Sequence, residues 1–241
     1  MGLSWSSLKQ QHSAETLLEL VPKRTPGHET PIPQFTRDTL LSAFSHVAGY
    51  IAKRGGDLTI VAIGGAVNTI HLQSRAVTHD VDFYNIHLTP EDYELLIGGA
   101  KDAVKKENKL EEDWFNNRTI LFMPLEQRPL LTDEALKRHE IIFKEPGLTV
   151  LAPPWNYAFC CKVDRLAGSG VQKAREYDLD DAVQYLNQYL QQHELSRIST
   201  TTIETWFSQY LLKWNENVPE VLGRVNQTFR TKWHRTGDVI N

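Results

Sequence analysis

Asp80 and Asp82, in the run Arg75-Ala76-Val77-Thr78-His79-Asp80-Val81-Asp82-Phe83-Tyr84, are the side chains best spaced for chemistry. In a strand, residues i and i+2 point the same way. The two carboxylates would share one face while Val81 and Phe83 turn to a core. Paired carboxylates suit Mg²⁺, which takes oxygen ligands and is shared with substrate phosphates. Upstream stand Gly64 and Gly65. Two glycines let the backbone turn sharply and come close to a ligand. Ala66 to Gln73 reads as a short helix whose first N–H groups would face that turn, a geometry that suits a phosphate.

The elements that must hold these residues are legible around them. Leu58 to Ile63 is short, apolar and β-branched, and reads as a buried strand. Before it, Thr36 caps a helix with an apolar stripe of Leu40, Leu41, Phe44, Val47, Ala48 and Ile51, closed by Gly55-Gly56. After it, Thr89-Pro90-Glu91-Asp92 opens a helix that runs to about Asn108, with Lys101, Lys105 and Lys106 on its solvated face. Arg118 to Pro124 reads as a third strand, and Glu140 to Phe143 and Leu148 to Leu151 as two more. Pro153-Pro154 marks a boundary. Beyond it helices are expected over Trp155 to Leu166, Ala174 to Gln192, Thr201 to Trp214 and Pro219 to Trp233. Strands early and helices late make an α+β plan. The division read here is 1–34 as an extension with a proline-rich linker, 35–152 as an α/β core, and 153–241 as a helical part.

A second constellation lies in the helical part. Lys162 and Arg165 are three apart on one helix, and Asp178 and Asp181 are three apart on the next. Such helices are commonly just salt-bridged. A ligand site is the other reading.

At these two blocks the chain resembles the polymerase-β-type nucleotidyltransferase superfamily. Gly-Gly, a short helix and Arg-x-x-x-His-Asp-x-Asp look like its signature. The nearest likenesses are small antibiotic nucleotidyltransferases and the nucleotidyltransferase-like toxins of abortive-infection systems. The toxins also carry a helical Lys followed by an Arg…Asp-Leu-x-Asp motif, as at Lys162 and Arg175 to Asp181. The likeness covers roughly residues 58 to 190. It implies a small mixed sheet flanked by helices with a helical C-terminal part. It implies that Gly64 and Gly65 hold the triphosphate of an NTP, that Asp80 and Asp82 hold one or two Mg²⁺ ions, and that Arg75 sits near the phosphates. Lys162 would contact the phosphates, and Asp178, supported by Asp181, would orient the nucleotide or assist catalysis. The expected reaction moves a nucleotidyl group to a small-molecule, RNA or protein acceptor. The chain departs from the family at the third carboxylate: Arg118 to Pro124 contains none, and Glu126 just beyond is a weak stand-in. Another base such as His79 or Asp178 would then serve, or the protein binds a nucleotide without turning it over. An enzyme of specialised metabolism using the cleft for another activated substrate is a further alternative.

Composition narrows the classes. The chain has 241 residues, 41% hydrophobic and 23% charged, as in ordinary globular domains. No apolar run is long enough to span a membrane, and Met1 to Gln11 lacks the apolar core of a signal peptide. Cys160 and Cys161 are neighbours on a helix, about 100° apart, and form neither a disulfide nor a metal pair. These features predict a reducing, cytoplasmic setting. A net charge of −4 gives no bulk attraction to nucleic acid. His71 reads as a packed or capping histidine, and His87 and His139 lack metal-ligand spacing. Ser169 has no nucleophile-elbow frame. Arg224, Arg230, Lys232 and Arg235 with Phe229 and Trp233 read as an amphipathic closing helix, with an RNA grip as the alternative.

Overall fold

Leu58–Ile63 forms β2, the centre of a five-stranded sheet in a computed structural model that describes residues 33–169 and 173–241. Its run of β-branched and apolar side chains is buried along most of its length, as a strand covered on both faces should be. On one side β2 pairs antiparallel with β4 (Val81–Tyr84), and β4 pairs parallel with the two-residue β5 (Phe115–Asn116). On the other side it pairs parallel with β7 (Leu148–Leu151), which pairs antiparallel with β6 (Ile141–Glu145). The sheet is mixed. A separate ladder joins β1 (Phe35–Thr36) to β3 (Val77–Thr78). Residues 1–32 lie outside the described residues; they hold nearly all of the proline-rich linker and the Ser13 to Leu20 stretch, which the sequence predicts as a short helix with Ser13 as its cap.

Helix α1 (Arg37–Ala52) starts where expected, with the Thr36 hydroxyl accepting from the Thr39 N–H. Its stripe from Leu40 to Ile51 is buried apart from Leu41, which is partly buried. Helix α2 (Gly65–Ile70) follows the glycine turn. Helix α3 (Pro90–Lys106) carries a full capping box between Thr89 and Asp92 and packs on α1. Helix α4 (Gln127–Arg138), which the sequence reading passed over, precedes β6. Then come α5 (Trp155–Leu166), α6 (Asp178–Gln192), α7 (Thr200–Gln209) and α8 (Val218–Trp233). Helix α5 packs closely on α6, and α8 covers both. Gln34–Asn241 is one compact unit, of α+β class.

Three expected elements differ. The third strand, Arg118 to Pro124, is instead a 3-10 helix over Arg118–Phe122. The Asn116 side-chain oxygen accepts the Arg118 N–H at 3.0 Å and turns the chain out of the sheet after only two paired residues. The apolar run therefore does not join the sheet: Met123 is buried and Ile120 packs on the core, while Leu121 and Phe122 stay half exposed. Second, α6 begins at Asp178 rather than Ala174. The Asp178 carboxylate accepts the Arg175 N–H at 2.9 Å, which holds residues 175–177 in a turn. Third, α7 ends at Gln209, because Leu211 takes a left-handed φ of 56°.

Candidate functional site

The register of β2 and β4 sets Ile63 opposite Asp82. The glycine turn and the aspartate pair therefore meet at the same end of the sheet. Val81 and Phe83 are buried while Asp80 and Asp82 open into a cleft of about 620 Å³. Gly64 has φ 72° and ψ −133°, a conformation that L side chains avoid, and a Cβ there would point into open space. Gly65 answers a packing need instead, since a Cβ would sit 2.0 Å from the Thr78 hydroxyl. The turn is pinned from below. The Asn68 amide donates to the Gly64 carbonyl at 3.2 Å and to the Tyr185 hydroxyl at 2.7 Å, and that hydroxyl donates to the same carbonyl at 3.3 Å.

The aspartate pair carries unfavourable charge. Burial and the neighbouring Asp80 push the Asp82 carboxyl up to about 7. Burial also raises Asp80, offset in part by Arg118, whose guanidinium lies 3.9 Å away and also reaches Asp113 at 3.8 Å. A divalent cation held by both carboxylates would relieve the repulsion. No group of three or more His, Cys, Asp or Glu that could hold a metal occurs among the described residues. Two carboxylates completed by ligand phosphates and water nonetheless fit Mg²⁺, which seldom takes an all-protein cage.

The second constellation closes on itself. Lys162 Nζ lies 2.7 Å from Asp178 and 2.8 Å from Asp181. Arg75 Nε donates to Asp181 at 2.9 Å, its Nη2 pairs with the other Asp181 oxygen, and its guanidinium lies 3.5 Å over the Tyr177 ring. Arg165 reaches Asp178 at 3.4 Å. Burial pushes the Asp178 carboxyl up, but Lys162, the Arg175 N–H and Arg165 outweigh it and hold the group below its usual range. Lys162 and Arg75 are thus salt-bridged and also line the cleft. Asp178 and Asp181 do not line it. They are buried behind the cations and fix their positions.

The cleft gathers Arg75, Arg118, Lys162, Arg165 and Arg175 near Asp80 and Asp82. This excess of cations suits a polyanion. His79 also lines it, whereas Glu126 is exposed and does not. The sequence reading missed Arg118, Asp164 and Tyr185 as site residues. A signal for Asp164 was available: Tyr157, Cys161 and Asp164, beside Ala158, Lys162 and Arg165, repeat at the three- and four-residue spacing of one helix face, and all six line the cleft.

His71 packs flat on Trp155 and bonds to Glu140 at 3.1 Å, as a packed histidine should. His87 pairs with exposed Asp133, and Ser169 accepts from the Asn215 amide. Helix α8 buries Phe229 and leaves Arg224 and Lys232 outside, the pattern of an amphipathic closing helix. No helix among the described residues is long and apolar enough to cross a membrane.

A family model described as a domain of unknown function, DUF7582, matches residues 34–236. The chain belongs to the DUF7582 family. All the cleft residues lie within the DUF7582 match, and Met1 to Pro33 lie outside it. No curated protein and no solved structure matches the chain.

Proposed function

We propose that this DUF7582 domain is a Mg²⁺-dependent nucleotidyltransferase that transfers a nucleotidyl group from an NTP to an acceptor. The observation that carries the reading is the register of Ile63 with Asp82, which sets a positive-φ glycine turn beside a like-charged aspartate pair in a cationic cleft. Central strand, glycine turn, short helix and antiparallel strand with Asp-x-Asp also support the nucleotidyltransferase fold at this end of the sheet.

In this reading Gly64 lets the triphosphate approach the backbone. Arg75, Lys162, Arg165 and Arg175 neutralise its charge, and Asp178 and Asp181 hold the first three in place. Asp80 and Asp82 would hold Mg²⁺, which when bound supplies further charge neutralisation at the phosphates. The acceptor oxygen displaces pyrophosphate in line, a reaction that depends mainly on positioning and electrostatics. Incubation with each α-labelled NTP and Mg²⁺, beside an Asp80→Ala/Asp82→Ala double variant, tests it. Pyrophosphate release or label transfer by the wild type alone is expected, and equal turnover by both would refute it.

A second reading, a nucleotide-binding protein without turnover, has one observation in its favour. Arg118 occupies the segment where a third carboxylate was expected and contacts Asp80. Tight NTP binding by calorimetry, without pyrophosphate release, is its signature.

A further inference from the structure

Three carboxylates line the cleft among the described residues: Asp80, Asp82 and Asp164. Asp164 does not come from the sheet. It lies on the face of α5 that also carries Cys161 and Arg165 into the cleft. Its carboxylate is half-buried and accepts a hydrogen bond from the Ser169 hydroxyl. Burial pushes the Asp164 carboxyl above its ordinary range, with Ser169 and Arg165 pulling it back in part. Arg165 also acts on Asp82, so one guanidinium is within electrostatic reach of both carboxylates. The other acids fit the role of base less well. Asp178 is held low by Lys162 and does not line the cleft, and Asp80 and Asp82 are assigned to the cation.

We propose that Asp164 is the general base of the cleft, supplying from α5 the carboxylate that the sheet lacks. This rests on the nucleotidyl-transfer reading. As the acceptor oxygen forms its bond to the α-phosphorus, its proton moves to the Asp164 carboxylate. The bond from the α-phosphorus to the bridging oxygen breaks, and pyrophosphate leaves with that electron pair. The proton then passes from Asp164 to water. The competing explanation is structural: Asp164 clasps the end of α5 through Ser169.

Asparagine keeps an acceptor oxygen for Ser169 and removes the basicity, while Ser169→Ala removes the clasp and keeps the base. The full chain is assayed for pyrophosphate release from α-labelled ATP, GTP, CTP and UTP with Mg²⁺. Glycerol, tyrosinamide and total RNA serve as probe acceptors. Asp164→Asn should fall about a hundredfold or more, with its NTP-induced melting shift intact to show a folded, binding-competent protein. Ser169→Ala should stay within about threefold of wild type, and Asp164→Glu should recover part of the loss. Asp164→Asn turnover within about threefold of wild type, or a Ser169→Ala loss as deep as that of Asp164→Asn, overturns the assignment and leaves nucleotidyl transfer standing. Loss in His79→Gln with Asp164→Asn active would move the base to His79. A wild type that binds NTP and releases no pyrophosphate with any probe overturns both the base and the transfer.

Discussion

Two clusters of charge border the same cleft and are built on opposite plans. At the end of the sheet Asp80 and Asp82 sit together, and the strongest influence on Asp82 after burial is the like charge beside it. In the helical part Asp178 and Asp181 are more deeply buried, at 0% and 1% exposure, yet each is matched by a cation within 3 Å. Burial alone therefore does not separate a working group from a framework group. Compensation does. The matched cluster is complete in the protein by itself, while Arg118 at 3.9 Å offsets the charge of the aspartate pair only in part and leaves a remainder that a ligand or a proton would relieve.

The contrast can be broken most sharply at the loosely compensated pair. Asp80→Ala/Asp82→Ala should lower nucleotidyl transfer by at least about 10³-fold, roughly 4 kcal/mol, and abolish the Mg²⁺-dependent part of the NTP melting shift. The domain should still fold. A double variant that melts far below wild type without ligand would show that the pair belongs to the framework.

Next in size is Lys162→Met, which keeps the stem and deletes the charge. It leaves Asp178 and Asp181 short of a buried partner and should cost about 3–5 kcal/mol in urea unfolding without ligand. The NTP-induced melting shift should fall as well; unchanged stability would show that the pairing contributes little, and an undiminished shift would remove Lys162 from the phosphate site.

Asp82→Asn should act in the opposite sense. The folded-state carboxyl is raised from 3.8 to about 7. Its contribution to stability is thus full below its unfolded value and is lost as pH rises through about 7. Asparagine mimics the protonated form at every pH. The variant should gain about 1–3 kcal/mol over wild type at pH 8, a gain that shrinks as pH falls toward 4, while Mg²⁺-NTP binding is lost. A pH-independent difference in melting temperature would count against the raised carboxyl.

The smallest effect is expected at Tyr185→Phe, which links the two regions. Its hydroxyl accepts from Asn68 and donates to the Gly64 carbonyl. Loss should cost about 1 kcal/mol of stability and weaken NTP binding several-fold through a looser glycine turn. Calorimetric titration of the variant checks it.

Legibility from sequence followed how local the cause of each feature is. The Thr36 cap of α1, the helix start at Thr89-Pro90-Glu91-Asp92 and the limits of α5 were readable because caps, first-turn residues and helix stripes act within a few residues. So were β2 and β4, from the apolar run and the alternation around Asp80 and Asp82. The segment after Phe115 was misread because one side-chain hydrogen bond, from the Arg118 N–H to Asn116, outweighs an apolar run as long as a strand. Asp164 was not assigned a role: the three- and four-residue spacing marks the helix face it shares with Tyr157 and Cys161, but nothing near it in the chain shows that this face of α5 is the open one.

By itself, then, the sequence determined the α+β class, the glycine turn after β2 and an aspartate pair, Asp80 just before β4 and Asp82 within it, opening to one side. These depend on the periods of strand and helix and on the conformational freedom of glycine, which neighbours along the chain dictate. Only the tertiary structure decided which charges are matched. Arg75 and Asp181 are 106 residues apart, and Lys162 and Asp178 belong to different helices. Whether a buried carboxylate is neutralised depends on what the fold brings within about 4 Å of it. The same aspartate type is therefore tightly paired at Asp178 and Asp181, with Lys162 within 3 Å of each, and only loosely compensated at Asp80 and Asp82, where Arg118 stands 3.9 Å from one of the two.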